Sequence, residues 1–259
     1  MNIIDFCAKK SKHEKISMVT CYDYSSARTL SQTDIDALLV GDSVAMTMHG
    51  FENTLAATIE MMCFHTAAVS RGAANKLIVS DLPFLSYRKS LSQNMSAVQQ
   101  LMQAGAQAIK LECASGNLKF IRHVVESGIP VMGHIGLTPQ SMHILGGFKT
   151  QGKDQASAAR LKADAKLLQE AGCFALVLEC IPHQLAADIT QSLFIPTIGV
   201  GAGPATDGQV LVFQDVLGLN LDLKPKFVKN FMDGEAQIKK GIASYINAIH
   251  TGEFPHADH

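Results

Sequence analysis

QAGAQAIKLE, residues 103–112, passes from the end of a helical pattern, through a glycine stop, into an apolar run that halts at a carboxylate. ESGIPVMGH (126–134) and EAGCFALVLE (170–179) repeat the helix-to-strand passage. Recurrence of helix, glycine and short apolar strand is what a parallel α/β sheet built from repeated units requires. Outward from these stretches, eight runs read as strands: KISMVTCYD (15–23), ALLVGD (37–42), KLIVSDL (76–82), AIKLEC (108–113), IPVMGHIG (129–136), FALVLEC (174–180), IPTIGVGAG (195–203) and QVLVFQDVLG (209–218). Their Val, Ile and Leu content marks strands buried on both faces. Eight such strands predict an α/β fold closed as a (β/α)8 TIM barrel.

Helical patterns lie between them: SSARTLSQT (25–33), TIEMMCFHTAAVSRG (58–72), SLSQNMSAVQQLMQAG (90–105), GNLKFIRHVVESG (116–128), DQASAARLKADAKLLQEAG (154–172) and HQLAADITQSL (183–193). A short amphipathic segment precedes the first strand. The tail KFVKNFMDGEAQIKKGIASYINAIH (226–250) reads as helical, with a break at Asp233 and Gly234. No linker or low-complexity run divides residues 1–259, so one barrel domain is expected, with a helical N-terminal segment and a helical C-terminal region.

The chain has 259 residues, and its 22 Lys and Arg nearly balance 23 Asp and Glu. That balance, without a basic stripe, argues against a nucleic-acid partner and for a small neutral or anionic ligand. Charged residues make up 17% and methionines number eleven, leaving little polar surface, so self-association is expected. Six cysteines without a CxxC pair read as reduced thiols of a cytoplasmic protein. No apolar run has the roughly 20 residues of a membrane span.

Four strand candidates stop at acids: Asp42, Asp81, Glu112 and Glu179. In a barrel these gather at the C-terminal mouth, where catalytic groups sit. Asp42, Asp81 and Glu112 follow one another around the rim, and three oxygen donors suit a hard cation such as Mg2+. Any single one could instead cap the next helix or pair with a lysine. Glu179 approaches from the other side and suits a general base, or else is simply an acid at a helix start before Pro182. In IKLE, Lys110 shares a face with Glu112, so it points inward and could bind a carboxylate, form a Schiff base or simply pair with an acid. His134 reads as a supporting group that orients its neighbours. GVGAG (199–203) could cradle a phosphate or make a tight turn. Two long connections, 40–58 and 133–154, follow strand ends on the same face and are candidate lids.

Taken together, VTCYDYSSA (19–27), LLVGDS (38–43), FHTAAVSRGA (64–73), SDLPF (80–84), AGAQAIKLE (104–112), GHIGLTPQS (133–141), GGFKTQG (146–152), LVLEC (176–180), IGVGAG (198–203), TDGQVLV (206–212) and PKFVKNF (225–231) closely resemble the ketopantoate hydroxymethyltransferase family, in order and over most of the chain. The resemblance implies a barrel of the phosphoenolpyruvate/pyruvate-binding type. It implies transfer of a hydroxymethyl group from 5,10-methylenetetrahydrofolate to 3-methyl-2-oxobutanoate, within pantothenate and coenzyme A biosynthesis. It further implies Mg2+ held by Asp42, Asp81 and Glu112, substrate contacts from Asp42, Ser43, Asp81 and Lys110, Glu179 as proton acceptor, and a homodecamer of two pentameric rings. Cys21, the LAAT stretch at 55–58 and Gln214 depart from the family's usual residues.

Overall fold

The computed structural model describes residues 2–220 and 225–256. It contains eight strands: β1 (Ile16–Thr20), β2 (Ala37–Val40), β3 (Leu77–Asp81), β4 (Ala108–Glu112), β5 (Val131–Gly136), β6 (Ala175–Glu179), β7 (Thr197–Val200) and β8 (Gly208–Leu211). They pair in chain order, all parallel, and β1 closes on β8. The expected barrel is therefore present, within a compact unit spanning Met1–Leu211.

Alternation along the strands decides what faces the barrel axis. Ile16, Met18, Ala37, Leu39, Leu77, Val79, Ala108, Met132, Ala175, Val177, Ile198 and Val210 form one buried cluster. Continued by twos toward the C-terminal ends, the same parity reaches Asp81, Lys110, Glu112, His134 and Glu179. Apolar filling below thus becomes a ring of charged side chains above.

At the other end the cluster is completed by Phe6 from the helix Ile3–Ser11, which meets Phe174 edge to face with ring centroids 5.7 Å apart. Lys9 and Lys10 of the same helix pair at 2.8 Å with Asp36 and Asp207, which immediately precede β2 and β8. The amphipathic opening segment therefore seals the end where strands begin. Phe6→Ala is expected to destabilise the protein by about 3–5 kcal/mol, because a fully buried ring leaves a cavity. A urea titration checks this; a loss below about 1 kcal/mol would mean the helix is not part of the core.

Helices form where the sequence patterns lie: 24–31, 59–72, 91–103, 118–126, 155–170 and 183–192. Asp23, Thr58, Ser90 and Asp154 cap four of them by accepting the backbone N–H three residues on. Gly105, Gly128 and Gly172, the recurring stops, all have positive φ. The long connection after β2 carries the helix Val44–Thr47 and a 3-10 turn at Thr54–Ala56; the one after β5 carries Pro139–Ser141 and Met142–Leu145.

Two expectations need correction. QVLVFQDVLG is strand only as far as Leu211; Phe213–Leu217 is a short helix, begun when the Val212 carbonyl accepts the N–H groups of Asp215 and Val216. Residues 226–232 are not helical, because the Phe231 N–H donates to the Val216 carbonyl at 2.8 Å rather than to its own turn. The helix starts at Gly234, with Asp233 capping Ala236, and runs to Thr251.

These corrections fall in a second compact unit, Val212–His259. Its helix exposes Ile238, Ile242, Tyr245, Ile246 and Ile249, each about half accessible, along one face at spacings of three and four. Among the described residues no helix is long and apolar enough to cross a membrane.

Candidate active site at the barrel mouth

Asp81, Glu112 and Glu179 are the last residues of β3, β4 and β6, whereas Asp42 lies two residues beyond β2. Asp42 is fixed by its own backbone N–H, which donates to Asp81 Oδ2 at 3.0 Å. Strand register then builds the rest. Asp81 lies beside Lys110, and Glu112 beside His134. Lys110 Nζ stands 2.6 Å from Asp81 Oδ1. His134 bridges two acids, with Nδ1 3.5 Å from Glu112 Oε1 and Nε2 3.2 Å from Glu179 Oε2. Asp42, Asp81, Lys110, Glu112 and His134 are buried, while 18% of the Glu179 side chain remains accessible.

Four carboxylates thus face one lysine and one histidine. Burial, reinforced by Asp81 and Glu112, holds the Asp42 carboxyl well above its usual range, against the pull of Lys110 and Gln140. Burial alone would favour neutral Lys110, yet Asp81, Asp42 and Glu112 outweigh it and raise its pKa. For His134, burial is the largest influence and works downward with Lys110, but contacts with Glu112 and Glu179 push the imidazole up to about 9.

Its protonated form is therefore favoured by folding. The stability it contributes is fully present below about pH 6.5, the unfolded value, and is lost as pH rises through about 9. The urea midpoint of the metal-free protein should fall over that interval, and His134→Gln should remove this part of the slope. Equal slopes for both proteins would contradict the assignment.

The excess of negative charge fits a divalent cation. Asp81 Oδ1, although close to Lys110, is buried without an aligned hydrogen bond, and Asp42 has only one oxygen engaged by Gln140. Among the described residues no group of three or more His, Cys, Asp or Glu side chains is gathered at metal-holding spacing. The donors present suit Mg2+, which needs only one or two protein carboxylates and takes its remaining oxygens from water and substrate.

Ser43 follows Asp42, and its Oγ lies 2.8 Å from the Tyr22 hydroxyl. The Tyr22 carbonyl accepts from His65 Nδ1 at 2.6 Å, so His65 Nε2, 2.9 Å from His49 Nε2, receives the proton of His49 when both rings are neutral. His49 and His65 thus tie the connection after β2 to the segment after β1. Cys21 is buried with its Sγ 3.7 Å from the Asp23 carbonyl, a packing role. Gly203 of GVGAG permits close approach, since a Cβ there would stand 2.6 Å from His183 Cβ.

Several site residues escape sequence reasoning. Cys113 and Cys180, each immediately after a rim acid, have φ of 70° and 47°, turning the chain away once their N–H groups have completed the ladder to His134 and Val200. Asn117 secures the first turn by donating to the carbonyls of Glu112 and Cys113. Gln140 reaches the rim from the connection after β5; it lies within GHIGLTPQS, but nothing in that stretch points to its carboxylate partners.

Residues 1–257 match the family model described as ketopantoate hydroxymethyltransferase. A 3-methyl-2-oxobutanoate hydroxymethyltransferase of Coxiella burnetii (strain CbuG_Q212) is 59% identical over 259 residues, covering 100% of this chain and 97% of the relative. The protein of that name from Bdellovibrio bacteriovorus is 56% identical over 253 residues, 98% of this chain and 96% of its own. Phosphoenolpyruvate phosphomutase from Streptomyces platensis subsp. rosaceus superposes with a TM-score of 0.64 at 12% identity, covering 97% of this chain and 88% of that one. For 2,3-dimethylmalate lyase, a member of the PEP mutase/isocitrate lyase superfamily, the values are 0.58, 15%, 98% and 88%. These structural likenesses establish the shared TIM-barrel fold.

Proposed function

We propose that this chain, which belongs to the ketopantoate hydroxymethyltransferase family, uses the barrel mouth to transfer a hydroxymethyl group from 5,10-methylenetetrahydrofolate to 3-methyl-2-oxobutanoate, giving 2-dehydropantoate. The observation that carries this reading is the division of the rim. Asp42, Asp81, Lys110 and Glu112 form a buried charged cluster, and Glu179, the accessible acid, is joined to it through His134.

Asp42 and Asp81 would hold Mg2+, with Glu112 beside them. When bound, the ion supplies positive charge that polarises the ketone of the keto acid. Lys110 and Ser43 bind the substrate carboxylate and set C3 toward Glu179. Glu179 accepts the C3 proton, leaving a carbon nucleophile that bonds to the one-carbon unit; that carbon gives up both of its bonds to folate nitrogen, one replaced by the bond to C3 and the other by a bond to water oxygen, while the C3 proton and one water proton pass to the two nitrogens. His134 holds Glu179 and Glu112 in register, so that proton removal occurs at one fixed place.

The exposed apolar face of the helix Gly234–Thr251 supports a homo-oligomer, proposed here as a decamer of two pentameric rings. All six cysteines are unpaired, in keeping with a cytoplasmic setting.

Incubating the purified protein with keto acid, methylenetetrahydrofolate and Mg2+ should yield 2-dehydropantoate by mass spectrometry. Chelation should stop the reaction and added Mg2+ restore it. No product with any divalent ion would reject the proposal.

A further inference from the structure

We propose that Gln140 is a positioning residue that fixes Asp42 and Glu112 relative to each other, and that Tyr87 sets the orientation in which it does so. The inference rests on reading the rim as the reaction centre. Gln140 lies on the connection after β5 and is buried. Its Nε2 donates to Asp42 Oδ2 at 2.8 Å and to the Leu82 carbonyl at 3.0 Å. Its backbone N–H donates to Glu112 Oε2 at 3.1 Å, and its Oε1 accepts from the Tyr87 hydroxyl at 2.7 Å.

Chemistry allows only one orientation of that amide. Leu82 offers a carbonyl, which accepts and never donates, and Asp42 offers a carboxylate oxygen. A flipped amide would set its oxygen against both while turning its nitrogen toward Tyr87. A tyrosine hydroxyl is protonated at neutral pH and so has the proton it donates to the amide oxygen. Tyr87 is itself held where Asn94 Nδ2 donates to its carbonyl at 2.9 Å.

One residue therefore grips two carboxylates, Asp42 just beyond β2 through its side chain and Glu112 at the end of β4 through its backbone. A glutamine with a purely structural task would need neither carboxylate. Each acid has one oxygen engaged by Gln140, so the disposition of its other oxygen follows from where Gln140 stands.

The test uses the full chain with Gln140→Met, which keeps the length but not the amide, and Tyr87→Phe, which keeps the amide but removes its orienting donor. Mg2+ binding to substrate-free protein is measured by calorimetry, alongside kcat, KM and melting temperature. Gln140→Met should weaken Mg2+ binding at least about 10-fold and lower kcat about 10–100-fold, and Tyr87→Phe should show the same pattern at smaller size. Mg2+ affinity and kcat within about twofold of wild type in folded variants would overturn the role, as would a lower melting temperature with Mg2+ affinity unchanged. Should Gln140→Met fail to fold, Tyr87→Phe decides alone by the same criteria. A wild type that neither binds Mg2+ nor forms product overturns the rim reading and this inference with it; an active wild type with matching variants overturns only the role of Gln140.

Discussion

Glu179→Gln is expected to lower product formation about 10^3-fold while leaving keto-acid affinity within about twofold of wild type. The amide matches the carboxylate in size but cannot accept a proton at neutral pH. Glu179 is also the rim acid with the most open side chain, 18% accessible against 2–3% for Asp81 and Glu112, so a substrate carbon can approach it. Glu112 cannot take over, because Gln140 N–H and His134 already face its two oxygens. Calorimetry with the keto acid and a product assay separate the effects. Product formation within about tenfold of wild type would assign the base elsewhere.

Asp81→Asn should be nearly as damaging to catalysis, and unlike Glu179→Gln it should also cost stability. One Asp81 oxygen accepts from the Asp42 N–H, and the other faces the Lys110 ammonium as an ion pair. Asparagine has one acceptor oxygen, so serving Asp42 turns its NH2 toward the buried ammonium. Removing the closest anion from a buried cation costs about 3–5 kcal/mol, less here because Asp42 and Glu112 also act on Lys110. Loss of ligand charge and of the Asp42 position together should weaken Mg2+ binding and reduce kcat by about 10^2–10^3-fold. Urea denaturation and Mg2+ calorimetry check both parts. Wild-type stability with wild-type Mg2+ affinity would show that Asp81 has neither duty.

The barrel was legible because strands buried on both faces produce unbroken apolar runs, and because three of them begin after a glycine stop. Parity was enough to turn Lys110 inward, where it meets Asp81. The same reasoning placed Asp42 as a strand end, but β2 stops at Val40 and the acid is held by a loop backbone. The helix 213–217 was hidden because so short an apolar segment satisfies either periodicity. Gln140 was hidden for a different reason. Its bond to Asp42 joins residues 98 apart, set by how two irregular connections fold over the mouth, which no local pattern encodes. His134 was visible as a rim histidine, yet its bridge between Glu112 and Glu179 depends on the register of three strands.

Hydrogen–deuterium exchange at C3 of 3-methyl-2-oxobutanoate, followed by proton NMR without folate, isolates the step on which the proposed chemistry depends. The wild type with Mg2+ should wash the C3 proton into solvent, while chelated wild type and Glu179→Gln should do so no faster than buffer. Wild-type exchange by Glu179→Gln would contradict the account.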